Sequence, residues 1–256
     1  MDLGLRGKKA IVTGGSRGIG RAIAETLAAE GADVGICARD AAQVQQAVAA
    51  LRAKGVQATG GVVDIANGPA LKAWIAEAGK TLGGIDILIP NASGFGVANT
   101  EQAWDAGYQI DILGTVRAVE AAKPFLGRAA AAHGDAAIVI IASTAAAEAQ
   151  AASPYGAVKA ALIHFAKGLA RQEAARHLRA NVVSPGTVYF KGGVWHRVEQ
   201  NDPQRFEATL KRNPTGRMAT PQEVAHAAVF LASPLSSFTT GINLIVDGAI
   251  TLRVNF

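Results

Sequence analysis

Thr13-Gly14-Gly15-Ser16-Arg17-Gly18-Ile19-Gly20 decides how the rest of this chain is read. The short apolar run Ala10-Ile11-Val12 leads into it. After it, Ile19, Ile23 and Leu27 recur at helical spacing, and Gly31 closes the run. The order is strand, glycine turn, helix. Such a turn aims free backbone N–H groups and the positive end of a helix dipole at one point, which suits a phosphate. The glycines let the chain turn sharply and let a ligand approach the backbone. Their spacing is G-x-x-x-G-x-G, not the G-x-G-x-x-G of the usual dinucleotide fingerprint. Alone, the turn is equally a tight strand–helix connection, and the residues beyond it have to decide.

Outward from this turn, short apolar runs alternate with helical patterns along all 256 residues. The spacing predicts strands over Lys9–Val12, Asp33–Cys37, Val56–Val63, Ile85–Ile89, Ala137–Ala142, Ala180–Val183 and Asn243–Val246. Between them lie amphipathic stretches such as Val44, Val48, Leu51 and then Leu71, Ile75, Ala78. Near-continuous apolar strands separated by helices imply a parallel sheet covered on both faces. No linker or composition shift divides the chain, so a single doubly wound α/β domain over 1–256 is expected.

Half of the residues are hydrophobic and 18% are charged, ample material for a buried core. No apolar run approaches the ~20 residues of a membrane helix, and Met1-Asp2-Leu3-Gly4-Leu5-Arg6 lacks a signal-peptide pattern. One cysteine, Cys37, excludes an internal disulfide and a multi-cysteine metal site, and it reads as a small buried hydrophobe. The expectation is a cytoplasmic protein with no membrane partner and no metal. The net charge of +5 and a pI near 9.5 would suit nucleic acid. The Lys and Arg residues are scattered, however, and aromatics are only 5% of the chain, too few for a stacking platform. A solvated surface with some attraction for anions is the better reading, with no nucleic-acid partner.

Several strand ends carry residues that suit a ligand lying across the sheet. The second predicted strand ends Ile36-Cys37-Ala38-Arg39-Asp40. In a dinucleotide fold this tip meets the adenosine ribose, where an acid bonds the 2′-hydroxyl of NAD and a base neutralises the 2′-phosphate of NADP. Arg39, with Arg17 in the glycine turn, favours NADP through charge-assisted contacts. The other reading has Arg39 solvated and Asp40 on the ribose of NAD. Asp64 ends the third strand and either accepts from the adenine amino group or caps the next helix. The fourth strand runs into Pro90-Asn91-Ala92-Ser93-Gly94. Trp104 to Thr115 reads as one helix with polar residues inside, Asp111 among them. Ser143-Thr144 ends the fifth strand. Ser153-Pro154 then suits an N-cap and first helical position, which puts Tyr155 and Lys159 four apart on one helix face. The ammonium and the helix N-terminus would both favour a phenolate; on spacing alone the pair is also an ordinary surface pair. Asn181 to Gly186 closes the sixth strand. From Thr187 to Arg217 the periodicity weakens, with six Lys/Arg against three Asp/Glu, and a substrate lid is expected over 187–217. Thr220-Pro221-Gln222-Glu223 reads as a capping box.

Taken together, these pieces resemble the short-chain dehydrogenase/reductase family over nearly the whole chain. Thr13–Gly20 is similar to its T-G-x-x-x-G-x-G turn, Tyr155 and Lys159 to its Y-x-x-x-K pair, and Ser143 to the serine before that pair. Asn181 to Gly186 and Val246-Asp247-Gly248 match its later signatures. The resemblance implies hydride transfer between a nicotinamide and a carbon bearing oxygen. Tyr155 would move the proton, Ser143 would bond the same oxygen, and Lys159 would hold the nicotinamide ribose. The implied cofactor contacts are Gly14, Ser16, Arg17, Gly18, Ile19, Gly20, Arg39, Asp64, Ile65, Asn91, Ala92, Tyr155, Lys159, Pro185, Gly186 and Val188. Three departures stand out. Pro90 replaces the first residue of the family's N-N-A-G and removes a backbone donor. The interval from Ser143 to Tyr155 is one residue shorter than is common, which makes Ala142 the other alignment. Asp111 stands where the family has an asparagine, at a distance from Lys159 expected to be about 6 Å, near enough for its charge to oppose the ammonium.

The function implied is an NADP-dependent oxidoreductase of a ketone or secondary alcohol, with NAD as the second cofactor. The basic lid suits an anionic compound such as a 3-oxoacyl thioester. A low-turnover dinucleotide sensor or scaffold is the competing class. The family is commonly tetrameric, so a homotetramer is expected.

Overall fold

The computed structural model describes residues 2–149 and 151–254. Seven strands, all parallel, form one sheet: β1 (Lys9–Thr13), β2 (Asp33–Ala38), β3 (Ala58–Val62), β4 (Ile87–Ile89), β5 (Ala136–Ile141), β6 (Leu178–Pro185) and β7 (Asn243–Val246), in the order β3-β2-β1-β4-β5-β6-β7. The helices between them are α1 (Gly18–Ala29), α2 (Ala41–Arg52), α3 (Gly68–Thr81), α4 (Glu101–Ala106), α5 (Gly114–His133), α6 (Pro154–Glu173), α7 (Val194–Asn201), α8 (Pro203–Arg212) and α9 (Pro221–Ala232). None of them is long and apolar enough to cross a membrane.

Alternation along each strand divides the core into two layers. Ala10 and Val12 of β1 face a cluster holding Ile23 and Leu27 of α1, Val44 and Leu51 of α2, and Val224 and Leu231 of α9. Ile11 faces the opposite cluster, with Leu71 and Ile75 of α3, Leu126 of α5 and Leu162 of α6. The strand order reverses between β1 and β4, and the crevice beyond the carboxyl ends there is where open α/β sheets take ligands. Every candidate side chain of the sequence reading lies on this edge or on the helices that rise beside it.

Several bounds are corrected. The third strand is shorter than predicted, Ala58–Val62, with Val56 in the bend before it and Gln57 bonded to Val34 N and Asp33 Oδ1 at the start of β2; the fourth is also shorter, Ile87–Ile89 against Ile85–Ile89, and the sixth is longer, Leu178–Pro185 against Ala180–Val183. The single helix expected from Trp104 to Thr115 is broken: α4 passes into a π-helical stretch, Gly107–Leu113, before α5 begins. Glycines stand at both joints, and neighbours pack closely against them. A Cβ on Gly107 would come 3.2 Å from Val158 Cγ1, and one on Gly114 would come 2.4 Å from Ile65 Cγ2. The wider winding turns Asp111 fully inward, where it is 1% exposed. Wide turns of this kind recur at functional sites.

Candidate active site

The glycine turn is built from contacts that forbid larger residues. Gly14 and Gly18 have φ of +66° and +56°, and a Cβ on Gly20 would come 2.3 Å from Gly14 O. The first N–H groups of α1 have no intrahelical partner, and no side chain caps them. Asn91 locks the turn to the end of β4: its Nδ2 donates to Thr13 O at 3.0 Å and Gly14 O at 3.1 Å. In return Thr13 Oγ1 accepts from the N–H of Asn91 at 3.0 Å and of Ala92 at 3.3 Å. Pro90 therefore breaks nothing: its carbonyl accepts from Ile141 N, and the donors after it are used by Thr13. Ser16, also in the turn, donates to Gln43 Oε1 of α2. The uncapped N–H donors at the start of α1 fit a dinucleotide diphosphate. Thr187 Oγ1, buried without a hydrogen-bond partner beyond β6, supplies a further free polar atom at the same edge.

At the tip of β2 both arginines are exposed, Arg17 as the first flanking residue of α1 and Arg39 just past the strand. Asp40 is committed elsewhere. Its Oδ1 accepts from Gln43 N at 2.9 Å and its Oδ2 from Gln43 Nε2 at 3.2 Å, so it caps α2. Asp64 is not the cap of the following helix. Asn67 caps α3, and Asp64 Oδ1 accepts from Ala66 N in the turn before it. Ile65 is buried against Gly114. Pro185, the last residue of β6, is buried; past it Gly186 N donates to Val246 O, and Val188 pairs with Ala219 to close the base of the 187–217 segment. Cys37 is buried beneath the glycine turn. Burial pushes its thiol up to about 12, against a smaller opposing effect of the Gly14 backbone.

Tyr155 and Lys159 stand on the first turns of α6, which Ser153 caps through Tyr155 N at 3.3 Å. Tyr155 is half-buried and Lys159 wholly buried. The Lys159 ammonium donates to Ile141 O at 3.1 Å and lies 5.8 Å from the centre of the Tyr155 ring. Ser143 starts a short turn after β5, with its Oγ accepting from Ala145 N. That turn touches α6: a Cβ on Gly156 would come 2.6 Å from Ala145 O. Ala142 is 4% exposed and bonded into the sheet through Val183 O, so the hydroxyl at this edge belongs to Ser143. The expected separation between Asp111 and Lys159 is corrected. The two are in direct contact, Nζ to Oδ1 3.0 Å, with side chains 3% and 1% exposed. Oδ1 makes no aligned hydrogen bond, so this contact is ionic, while Oδ2 accepts from Gly94 N at 2.9 Å.

Two phenylalanines enter the site unannounced by the motifs. Phe190 covers the glycine turn, since a Cβ on Gly18 would come 2.6 Å from its ring. Phe95 stacks on Tyr155, ring centres 5.3 Å apart and planes at 18°. Its φ of +49° is strained for a bulky residue, by about 1–3 kcal/mol. A stacked aromatic pair returns about 0.5–1.5 kcal/mol, which leaves the conformation unexplained by folding alone. The one signal in the sequence was the pair of glycines around Phe95.

A family model described as enoyl-(acyl carrier protein) reductase matches residues 14–251. The chain is 34% identical to an isoepoxydon dehydrogenase of Penicillium expansum over 100% of this chain and 99% of the relative. It is 33% identical to a rhamnolipid-biosynthesis 3-oxoacyl-[acyl-carrier-protein] reductase of Pseudomonas aeruginosa, over 97% and 98%. Among solved structures, the L-sorbose reductase of Gluconobacter frateurii, complexed with NADPH and L-sorbose, superimposes with a TM-score of 0.89 at 30% identity, over 99% and 100% of the two chains.

Proposed function

The chain belongs to the short-chain dehydrogenase/reductase family, and from that premise we propose that it is an NADP-dependent reductase of ketones, or dehydrogenase of the matching secondary alcohols. What supports the reading is Tyr155 on the first turn of α6, with the Lys159 ammonium 5.8 Å from its ring centre, and the turn that Ser143 opens packed against Gly156 of the same helix. When bound, the cofactor supplies or accepts the hydride. Tyr155 gives its phenolic proton to the carbonyl oxygen in reduction and takes it back in oxidation. Ser143 donates to the same oxygen, and Lys159 stabilises the phenolate by its charge and reaches the nicotinamide ribose. Asp111 holds the ammonium from behind and opposes part of its field.

NADP is favoured because Arg17 and Arg39 are exposed at the ribose end while Asp40 is occupied in capping α2. The sorbose reductase with NADPH agrees. Gly14, Ser16, Gly18, Ile19 and Gly20 would hold the diphosphate, Asp64 and Ile65 the adenine, and Asn91, Ala92, Pro185, Gly186 and Val188 the nicotinamide end. Helices α7 and α8 form the lid. The relatives are by their names a dehydrogenase of isoepoxydon and reductases of L-sorbose and of a 3-oxoacyl-[acyl-carrier-protein], which supports a carbonyl or alcohol as the reacting group, with the 3-oxoacyl thioester as one member of the class. Exposed Phe238, Leu252 and Val254, on the segments flanking the edge strand β7, suit a self-associated homotetramer. The test is a panel of cyclic, open-chain and 3-oxoacyl ketones assayed with NADPH and with NADH. Cofactor oxidation that is faster with NADPH supports the reading; no oxidation with any ketone contradicts it.

A further inference from the structure

Gly94-Phe95-Gly96 projects one side chain into the site from a backbone fixed on both sides. A Cβ on Gly94 would come 3.1 Å from Ala106 O, and one on Gly96 2.7 Å from Ala103 O, so both glycines lie against α4. Gly94 N is also held by Asp111 Oδ2, and Phe95 N donates to Ser93 Oγ at 3.2 Å. Between these anchors Phe95 takes its left-handed backbone and lays one ring face on Tyr155. The residue nevertheless remains 53% exposed. A ring placed for the core would be buried, and a ring left to solvent would not need a left-handed backbone. The contacts also close a circuit. Phe95 touches Tyr155, Tyr155 lies under Lys159, Lys159 meets Asp111, and Asp111 holds Gly94. The ring is therefore registered to the proton donor and does not depend on loop position alone.

Resting on the reading of Tyr155 as proton donor, we propose that Phe95 is a specificity-determining residue, whose exposed ring makes a flat apolar wall beside the reacting oxygen. The wall selects ketones whose carbonyl is part of, or conjugated to, a flat ring over open-chain ketones of equal carbon count. A flat substituent stacks on the ring with little loss of freedom, whereas a flexible chain gives up its rotamers to cover the same face.

The test pairs α-tetralone with methyl octyl ketone in NADPH-dependent reduction by the full-length protein. Wild type is expected to favour α-tetralone in kcat/KM. Phe95→Leu keeps apolar bulk without the flat face and should lower that preference by about fivefold, chiefly through KM, in the range of one stacking contact. Phe95→Gly accepts the left-handed backbone without strain, so it guards against misfolding, and should lose the preference likewise. Phe95→Trp should retain it. Saturation-transfer NMR of α-tetralone on the enzyme with NADP+ reads binding without turnover and should show the same loss. An unchanged substrate ratio, together with equal α-tetralone binding by wild type and Phe95→Leu, overturns the proposal. Near-normal turnover by Tyr155→Phe would overturn the underlying reading instead, whatever the Phe95 variants do.

Discussion

Arg39 stands exposed just past β2, beside a carboxylate, Asp40, that is already bonded twice to Gln43. Under the proposed function, reversing its charge would strike the 2′-phosphate site. Arg39→Asp should weaken NADPH binding by about one to two decades, the worth of a charge-assisted contact, and NADH binding by less. Equal losses, read by titration of each cofactor, would remove Arg39 from phosphate recognition. Asp111 gives a second prediction. Its carboxylate sits 3.0 Å from the Lys159 ammonium and cancels part of the field that favours the Tyr155 phenolate. Asp111→Asn keeps an acceptor for Gly94 N and removes the charge. Alcohol oxidation, which under the proposed mechanism needs the phenolate, should then be faster in Asp111→Asn than in wild type at one fixed pH. Slower oxidation by the variant, with the cofactor bound, contradicts the assigned sign. At this scale the sequence was legible where spacing alone brings side chains together, as with Tyr155 and Lys159 on one helix. Phe95 and Thr13 were not, because their partners, Tyr155 and Asn91, lie far along the chain and only the folded sheet edge joins them.

Elements with strong local signals appear where the residues predict them. Thr220 opens α9 with a complete capping box, Glu223 bonding Thr220 N while Thr220 Oγ1 accepts from Glu223 N. The side-chain bond from Arg217, with further help from Thr220, holds the Glu223 carboxyl down at about 2, below its ordinary 4.5. A depressed carboxylate adds stability that is fully present above its ordinary value and is lost as pH falls toward the depressed one. Wild type should thus be slightly more resistant to urea than Glu223→Gln at about pH 6, with the gap narrowing by about pH 3. A gap that is constant between these pH values contradicts the ion pair as its cause. The π-helical stretch Gly107–Leu113 is the opposite case. Its residues suit a continuous helix by local pattern, and no periodicity in the sequence announces the wider turn, which is bounded by Gly107 and Gly114 where Val158 and Ile65 pack closely.

Across the whole molecule, the parallel sheet and its two apolar layers follow from the alternation of buried strands and amphipathic helices, and this much the sequence displays openly. The strand order, with its reversal between β1 and β4, gathers onto one edge a turn at residue 13, a loop at 91–96, a hydroxyl at 143 and a helix at 154. The central claim is that this edge reduces a ketone, with Tyr155 giving the proton. The most direct measurement is steady-state oxidation of NADPH by wild type and Tyr155→Phe with the best ketone of the panel, alongside NADPH binding by both. The account predicts that binding survives, since the ring stays, while turnover falls by ~10² or more. Turnover within a few-fold of wild type, with the cofactor bound, would contradict it.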